Sequence, residues 1–195
     1  MIMKKCGDEM LKLIILDMDG TLFDTTDVNY YSYKEAIAEY GYDVDHDFYR
    51  YECNGKHYKD FLPLFATDDA VLMEKIHEKK KELYPKYLGK ARLNETLWQI
   101  VKKVAGDECK LALVTNASKQ NVFDILTTFG IKDDFDYIMT QEDIKKPKPD
   151  PQSFVDTIKY FGVKPSETLI FEDSPVGLEA ARLSGAEYYQ VYNYR

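Results

Sequence analysis

Three short, unbroken apolar runs stand out along the chain, at Leu13–Leu16, Leu111–Val114 and Leu169–Phe171, with weaker ones at Tyr137–Met139 and Tyr188–Val191. Runs of that length read as strands buried on both faces. Between them the period changes. Leu97, Ile100, Val101 and Val104 follow the i, i+3, i+4, i+7 spacing of a helix face, with Asn94 placed as its N-cap. Val122, Ile125, Leu126 and Phe129 repeat the pattern and stop at Gly130; Phe154, Val155, Ile158 and Phe161 stop at Gly162. Each glycine falls where a helix end takes a left-handed residue. Strands alternating with helices of this length predict an α/β fold, a doubly wound parallel sheet.

Residues 26–91 break the alternation. Tyr33, Ala36, Ile37 and Tyr40 mark one helix, Phe61, Leu62, Leu64 and Phe65 a second, and Val71 through Leu83 a third. The stretch also holds ten of the sixteen tyrosines, read mostly as packing residues, with stacking of some on a sugar or base as the alternative. The expected organisation is a core domain of residues 1–25 and 92–195, with a small all-helical cap domain, residues 26–91, over the sheet's carboxyl edge. His46 and His77 read as surface histidines, and Lys79-Lys80-Lys81 as a solvated face.

Composition narrows the choices. The chain has 195 residues, 45% of them hydrophobic, enough for one sizeable core and a small accessory domain. A formal charge of −8 argues against nucleic-acid binding through a broad basic face. Cys6, Cys53 and Cys109 are widely spaced, with no CxxC pair, so a reduced, cytoplasmic setting is expected. No apolar run approaches the ~20 residues that span a bilayer, so no membrane partner is expected. The opening segment lacks the apolar region of a signal peptide, and Met1, Met3 and Met10 each offer a start. A monomer or weak homo-oligomer is the expected state.

Four polar clusters follow four of the predicted strands, at the edge where open parallel sheets bind ligands. Asp17-Met18-Asp19-Gly20-Thr21 places two carboxylates two residues apart, beside a glycine that permits close backbone approach. Thr115-Asn116-Ala117-Ser118 offers a hydroxyl and backbone N–H groups at a strand-to-helix turn, a setting for an anion or simply for Ser118 as an N-cap. Lys145-Lys146-Pro147-Lys148-Pro149-Asp150-Pro151 holds lysines in a rigid, extended loop. Glu172-Asp173-Ser174 brings adjacent carboxylates together, costly unless a cation lies between them. Oxygen-only donors indicate Mg²⁺ rather than zinc.

In this order the clusters resemble the four motifs of the haloacid-dehalogenase-like superfamily, over a core from Leu13 to about Val191. The helical insertion resembles the small cap of its β-phosphoglucomutase and phosphoglycolate phosphatase branches. The resemblance implies Mg²⁺-dependent hydrolysis of a small phosphorylated metabolite through an aspartyl phosphate on Asp17. Asp19 would protonate the leaving group and then activate water. Thr115, the Asn116 N–H and Lys146 would hold the phosphoryl oxygens, with Lys145 and Lys148 as alternatives to Lys146. Asp17, the Asp19 carbonyl and Asp173 would hold the metal, with Glu172 a ligand or one step behind it. An acid at Asp19 favours phosphoryl transfer over dehalogenation, since a halide leaves without a proton.

The segment Leu93-Asn94-Glu95 departs from the family's usual Pro-Gly. In the cap, Asn29, Gly55, Lys56 and His57 are candidates for substrate selection. A phosphosugar mutase on the same core is the alternative. Asn29 stands where such mutases carry a histidine, and Tyr58 where they carry a phosphate-binding arginine. A catalytically silent binding module is disfavoured by the intact acids.

Overall fold

The computed structural model describes residues 10–106 and 108–192. Cys6, with Met1 and Met3, lies outside them. In chain order the main elements are strand β1 (Leu13–Leu16), helices α1 (Thr26–Ala38), α2 (Ala70–Leu83) and α3 (Glu95–Ala105), β2 (Lys110–Val114), α4 (Lys119–Thr128) and β3 (Tyr137–Met139). Helix α5 (Gln152–Phe161), β4 (Thr168–Glu172), α6 (Pro175–Ser184) and β5 (Glu187–Gln190) follow. The five strands form one parallel sheet in the order β3-β2-β1-β4-β5. The α/β, doubly wound fold expected from the apolar runs is the fold observed.

All four residues of β1 are fully buried. Strand side chains alternate between faces, so burial of every position means that both faces of the sheet are covered. On one face Leu13, Ile15, Ala112, Val114 and Ile170 pack with Phe154 and Ile158 of α5 and Ala180 and Ala181 of α6. The helix boundaries follow local chemistry. Asn94 Oδ1 accepts the Leu97 N–H at 3.1 Å and so starts α3. Gly162, at φ 66° and ψ 25°, ends α5 in the left-handed conformation.

The chain divides into two compact units, Thr25–Arg92 and the remainder. The first is helical, and α1 packs on α2. Tyr30, Tyr33, Tyr49 and Tyr58 are buried in its core with Ile37, Phe61, Leu62 and Ile76, which accounts for much of the local tyrosine enrichment. The helix expected around Phe61–Phe65 is reduced to one α-turn, Tyr58–Phe61, and a 3₁₀ turn, Leu62–Leu64. Pro63 has no N–H to continue the α ladder. Residues Tyr49–Cys53 form a π-turn, closed by the Asn54 N–H on the Tyr49 carbonyl at 2.9 Å.

Neither His46 nor His77 is an isolated surface group. His46 Nε2 lies 2.8 Å from Asp27 Oδ1. His77 Nδ1 lies 2.8 Å from the Tyr33 hydroxyl, and its ring stacks on Tyr58 at 4.0 Å and 9°. Burial pushes the His77 pKa down to about 4, with Lys81 and Lys80 adding to the shift. Its ordinary value is about 6.5. Between those values the unfolded chain binds a proton that the folded unit refuses, so stability falls as pH drops through that window. We expect the melting temperature of the helical unit, followed by tyrosine near-ultraviolet dichroism, to decline from pH 6.5 to pH 4. A His77→Gln variant should show a flatter decline. An identical slope in both would assign the pH dependence to other groups.

Candidate active site

The parallel register sets the site. Leu16 is level with Leu113 of β2 and Phe171 of β4, so Asp17, Val114 with Thr115, and Glu172 leave the sheet at one edge. Strands β1 and β4 are neighbours where the strand order reverses, the usual ligand-binding point of such sheets.

One ammonium joins three of these segments. Lys148 Nζ lies 2.6 Å from Asp17 Oδ1 and 2.8 Å from Glu172 Oε1, and it donates to the Val114 carbonyl at 3.1 Å. Its side chain is only 2% exposed, and the ring of Phe154 lies 4.8 Å from the ammonium. Burial acts to lower the Lys148 pKa, but Asp17 and Glu172 outweigh it and hold the group protonated, above its ordinary value. The Asp17 pKa also moves upward, but here burial is the larger influence. Burial pushes its pKa well above the ordinary range, Lys148 opposes that shift, and Glu172 and Asp173 reinforce it.

Asp173 shares the crowding. Burial pushes its pKa to about 6, the Thr21 hydroxyl restrains the rise, and Glu172 and Asp19 add to it. Thr21 Oγ1 donates to Asp173 Oδ1 at 2.7 Å. Asp17, Glu172 and Asp173 each offer a carboxylate oxygen within 4.8 Å of the others. Three acids against one ammonium leave an excess of negative charge, and an all-oxygen donor set of this size fits a hard divalent cation. Glu172 is committed elsewhere as well: Oε2 accepts from the Ser174 N–H at 2.8 Å and lies 3.1 Å from its hydroxyl. Gly20 has φ 88°, and a Cβ there would lie 2.1 Å from Asp173 Oδ2. A residue with a side chain would be both strained and obstructive.

Asp19 is half-buried beside this group, and its carboxylate is not one of the three clustered acids. Thr115 is buried, its N–H bonded to the Met139 carbonyl and its Oγ1 accepting the Ala117 N–H, both at 3.1 Å. Asn116 Oδ1 accepts the Lys148 N–H at 3.4 Å, which links the loops after β2 and β3.

Lys146 is not where the motif reading put it. Its side chain is 66% exposed, and its ammonium lies 3.7 Å from Asp150 Oδ2. Lys145 is also exposed. The structure places Lys148 at the acids instead. Lys-Pro-x-Pro occurs here in two overlapping registers, from Lys146 and from Lys148. Only the second sets its last proline, Pro151, at the N-cap of α5. That spacing was the available signal. Ser118 also differs from expectation, since it makes no side-chain cap bond to α4.

The remaining candidates lie in the helical unit. Asn29 Nδ2 donates to Thr25 Oγ1 at 3.3 Å. Gly55, Lys56 and His57 are exposed on the turn after the π-turn. His57 Nδ1 accepts the Lys59 N–H at 3.3 Å, so this ring caps the next helical turn.

A family model described as haloacid dehalogenase-like hydrolase matches residues 14–191, and the chain belongs to that family. The family is one of hydrolases, so the chain is an enzyme, and its named relatives include phosphatases. One curated relative is the phosphorylated carbohydrates phosphatase of Thermotoga maritima, 27% identical over 183 residues, covering 91% of this chain and 83% of that protein. Another is the pyrophosphatase PpaX of Bacillus velezensis, 27% identical over 197 residues, covering 92% and 82% respectively. The solved structure of CbbY from Rhodobacter sphaeroides, in complex with phosphate, aligns with a TM-score of 0.80. It is 23% identical, covers 95% of this chain and 88% of that one, and is a likeness of fold.

The geometry separates the two lysines experimentally. Replacing Lys148 by Met should lower kcat/KM for p-nitrophenyl phosphate by at least on the order of 10²–10³, the loss that follows removal of a single neutral oxyanion donor elsewhere. Lys146→Met should stay within about twofold of wild type, as expected for an exposed, weakly paired group. Comparable losses in both variants would contradict the placement.

Proposed function

We propose that the chain is a cytoplasmic, Mg²⁺-dependent phosphatase that hydrolyses the phosphate monoester of a small metabolite through an aspartyl phosphate on Asp17. One observation carries the reading: the Asp17 carboxylate is gripped by a buried ammonium at the sheet edge, with two further acids alongside. A carboxylate so fixed is oriented as a nucleophile, and the ammonium stands where phosphoryl charge needs neutralising.

In the proposed reaction an Asp17 oxygen attacks phosphorus and the bond to the leaving oxygen breaks. Asp19 gives that oxygen its proton. Asp19 then takes a proton from water attacking the aspartyl phosphate, which releases inorganic phosphate and restores the Asp17 carboxylate. Lys148, Thr115 and the Asn116 N–H hold the phosphoryl oxygens. Asp17, the Asp19 carbonyl and Asp173, with Glu172 close by, would hold Mg²⁺, which would offset the repulsion between a carboxylate nucleophile and an anionic phosphate.

The relative named for phosphorylated carbohydrates points to a hydroxyl-rich leaving group. Asn29, Gly55, Lys56 and His57 are proposed to select it. Asn29 also favours hydrolysis over phosphosugar transfer, since an amide held by Thr25 cannot shuttle a proton as imidazole does.

Asp17→Asn should remove turnover with the fold intact, because the exchange is nearly isosteric. EDTA should do the same reversibly, and Asp173→Ala should sharply raise the Mg²⁺ needed for half-maximal rate. Retention of more than a few per cent of wild-type rate by Asp17→Asn, with no deamidation, would refute covalent catalysis there.

Asp19 is tested by the leaving group. Asp19→Asn should slow an alkyl phosphate by about 10²–10⁴, the range for a lost general acid. It should slow p-nitrophenyl phosphate less, because nitrophenolate departs without a proton. Single-turnover measurements isolate the first step. Equal losses there would remove Asp19 from the role of leaving-group acid.

A further inference from the structure

Helix α4 opens directly after the Thr115–Ser118 loop, and its start is held in an unexpected way. Ser118 occupies the N-cap position with extended backbone, φ −65° and ψ 148°, yet makes no cap bond. Its buried Oγ has no hydrogen-bond partner among the described residues. The Lys119 N–H is bound instead by Glu142 Oε2 at 2.8 Å, from the loop after β3.

Glu142 is itself fixed. The Thr140 hydroxyl, on a residue 1% exposed, is shared between Glu142 Oε2 at 3.0 Å and Asp143 Oδ2 at 2.8 Å. The Thr140 N–H donates to the same Asp143 oxygen at 3.0 Å. Backbone bonds continue the seam. Thr115 N–H reaches the Met139 carbonyl at 3.1 Å, and Gln141 N–H reaches the Ala117 carbonyl at 2.9 Å. The loop is thus fastened to residues 139–142 at its first residue, near its middle and at the helix it feeds.

We propose that Glu142, with Thr140 behind it, is a positioning residue that holds the Thr115–Ser118 loop in its phosphoryl-binding shape. This rests on the proposed role of that loop. A cap supplied by Ser118 would fix the helix start to the loop alone. A cap supplied by Glu142 fixes it to the end of β3, so the loop cannot tilt with α4. The operating element is the carboxylate oxygen as acceptor, and a carboxamide oxygen supplies the same acceptor without the charge. Donors aimed at developing charge act only when they are held in place beforehand.

The test compares Glu142→Ala, Glu142→Gln and Thr140→Val with wild type in two readouts. Amide hydrogen exchange of residues 115–119, with Mg²⁺ but no substrate, reports the loop without relying on turnover. Inhibition by inorganic phosphate and kcat on p-nitrophenyl phosphate report its function. Glu142→Ala should speed exchange at Ser118 and Lys119 about tenfold, weaken phosphate inhibition about fivefold and lower kcat, with exchange in β1 and β4 unchanged. Glu142→Gln should restore all three to within about twofold, and Thr140→Val should fall between. Faster exchange with phosphate inhibition and kcat at wild-type values would overturn the proposal, leaving a helix cap only. Equal effects of Gln and Ala would overturn it too. A wild-type chain that hydrolyses no phosphate ester would fail the functional reading, while the exchange data would still judge the cap.

Discussion

Burying a lysine against two carboxylates sets the terms for the rest of the core. Lys148, Asp17 and Glu172 are each at least nine-tenths buried, and each would be costly there alone. Together they offset part of that cost, with the Val114 carbonyl accepting a further hydrogen bond from the ammonium. Such groups rarely add net stability over an apolar replacement. Under the proposed mechanism their presence, with Asp173 crowded alongside, is stability given up for chemistry. The sheet tolerates it because Ile14, Ile15, Leu113, Val114 and Ile170 are buried immediately beneath.

The parallel register is what lets residues far apart in sequence share one ammonium. Asp17 follows β1, Val114 ends β2, Glu172 ends β4, and Lys148 comes from the loop between β3 and α5. A slip of one residue in any strand would turn its terminal side chain to the opposite face. The full burial of β1 opposes such a slip from both sides, since each of its residues has a packed environment to lose. Packing of the core and precision of the site are thus one property here.

Much of this was legible in the sequence, because the elements are locally consistent. Apolar runs marked the buried strands, Asn94 marked a helix start, and Gly162 a helix end. What escaped were relations between distant loops. Two Lys-Pro-x-Pro registers differ only in which lysine turns inward, and that depends on where α5 begins. The capping of α4 by Glu142 joins groups 23 positions apart in sequence. A local rule sees Ser118 and assigns it the cap. His77 carried a signal that went unused: it sits one position after Ile76 and four after Met73, on the stripe those buried residues define.

The acid pair after β4 shows how far the site constrains its surroundings. Glu172 spends one oxygen on Lys148 and the other on Ser174, so its carboxylate cannot rotate without losing an ammonium or a helix start. Ser174 in turn caps α6, its Oγ accepting the Gly177 N–H at 3.0 Å. Gly177 lies in the first turn of that helix, and glycine is a poor helix former. Its backbone needs no special angle. A Cβ would instead lie 1.8 Å from Glu172 Oε1, inside the volume the carboxylate occupies. The glycine is there for space, and the space is there for Glu172. The sequence Glu172-Asp173-Ser174-Pro175-Val176-Gly177 is therefore one device: a helix start shaped around a carboxylate that holds Lys148 beside Asp17.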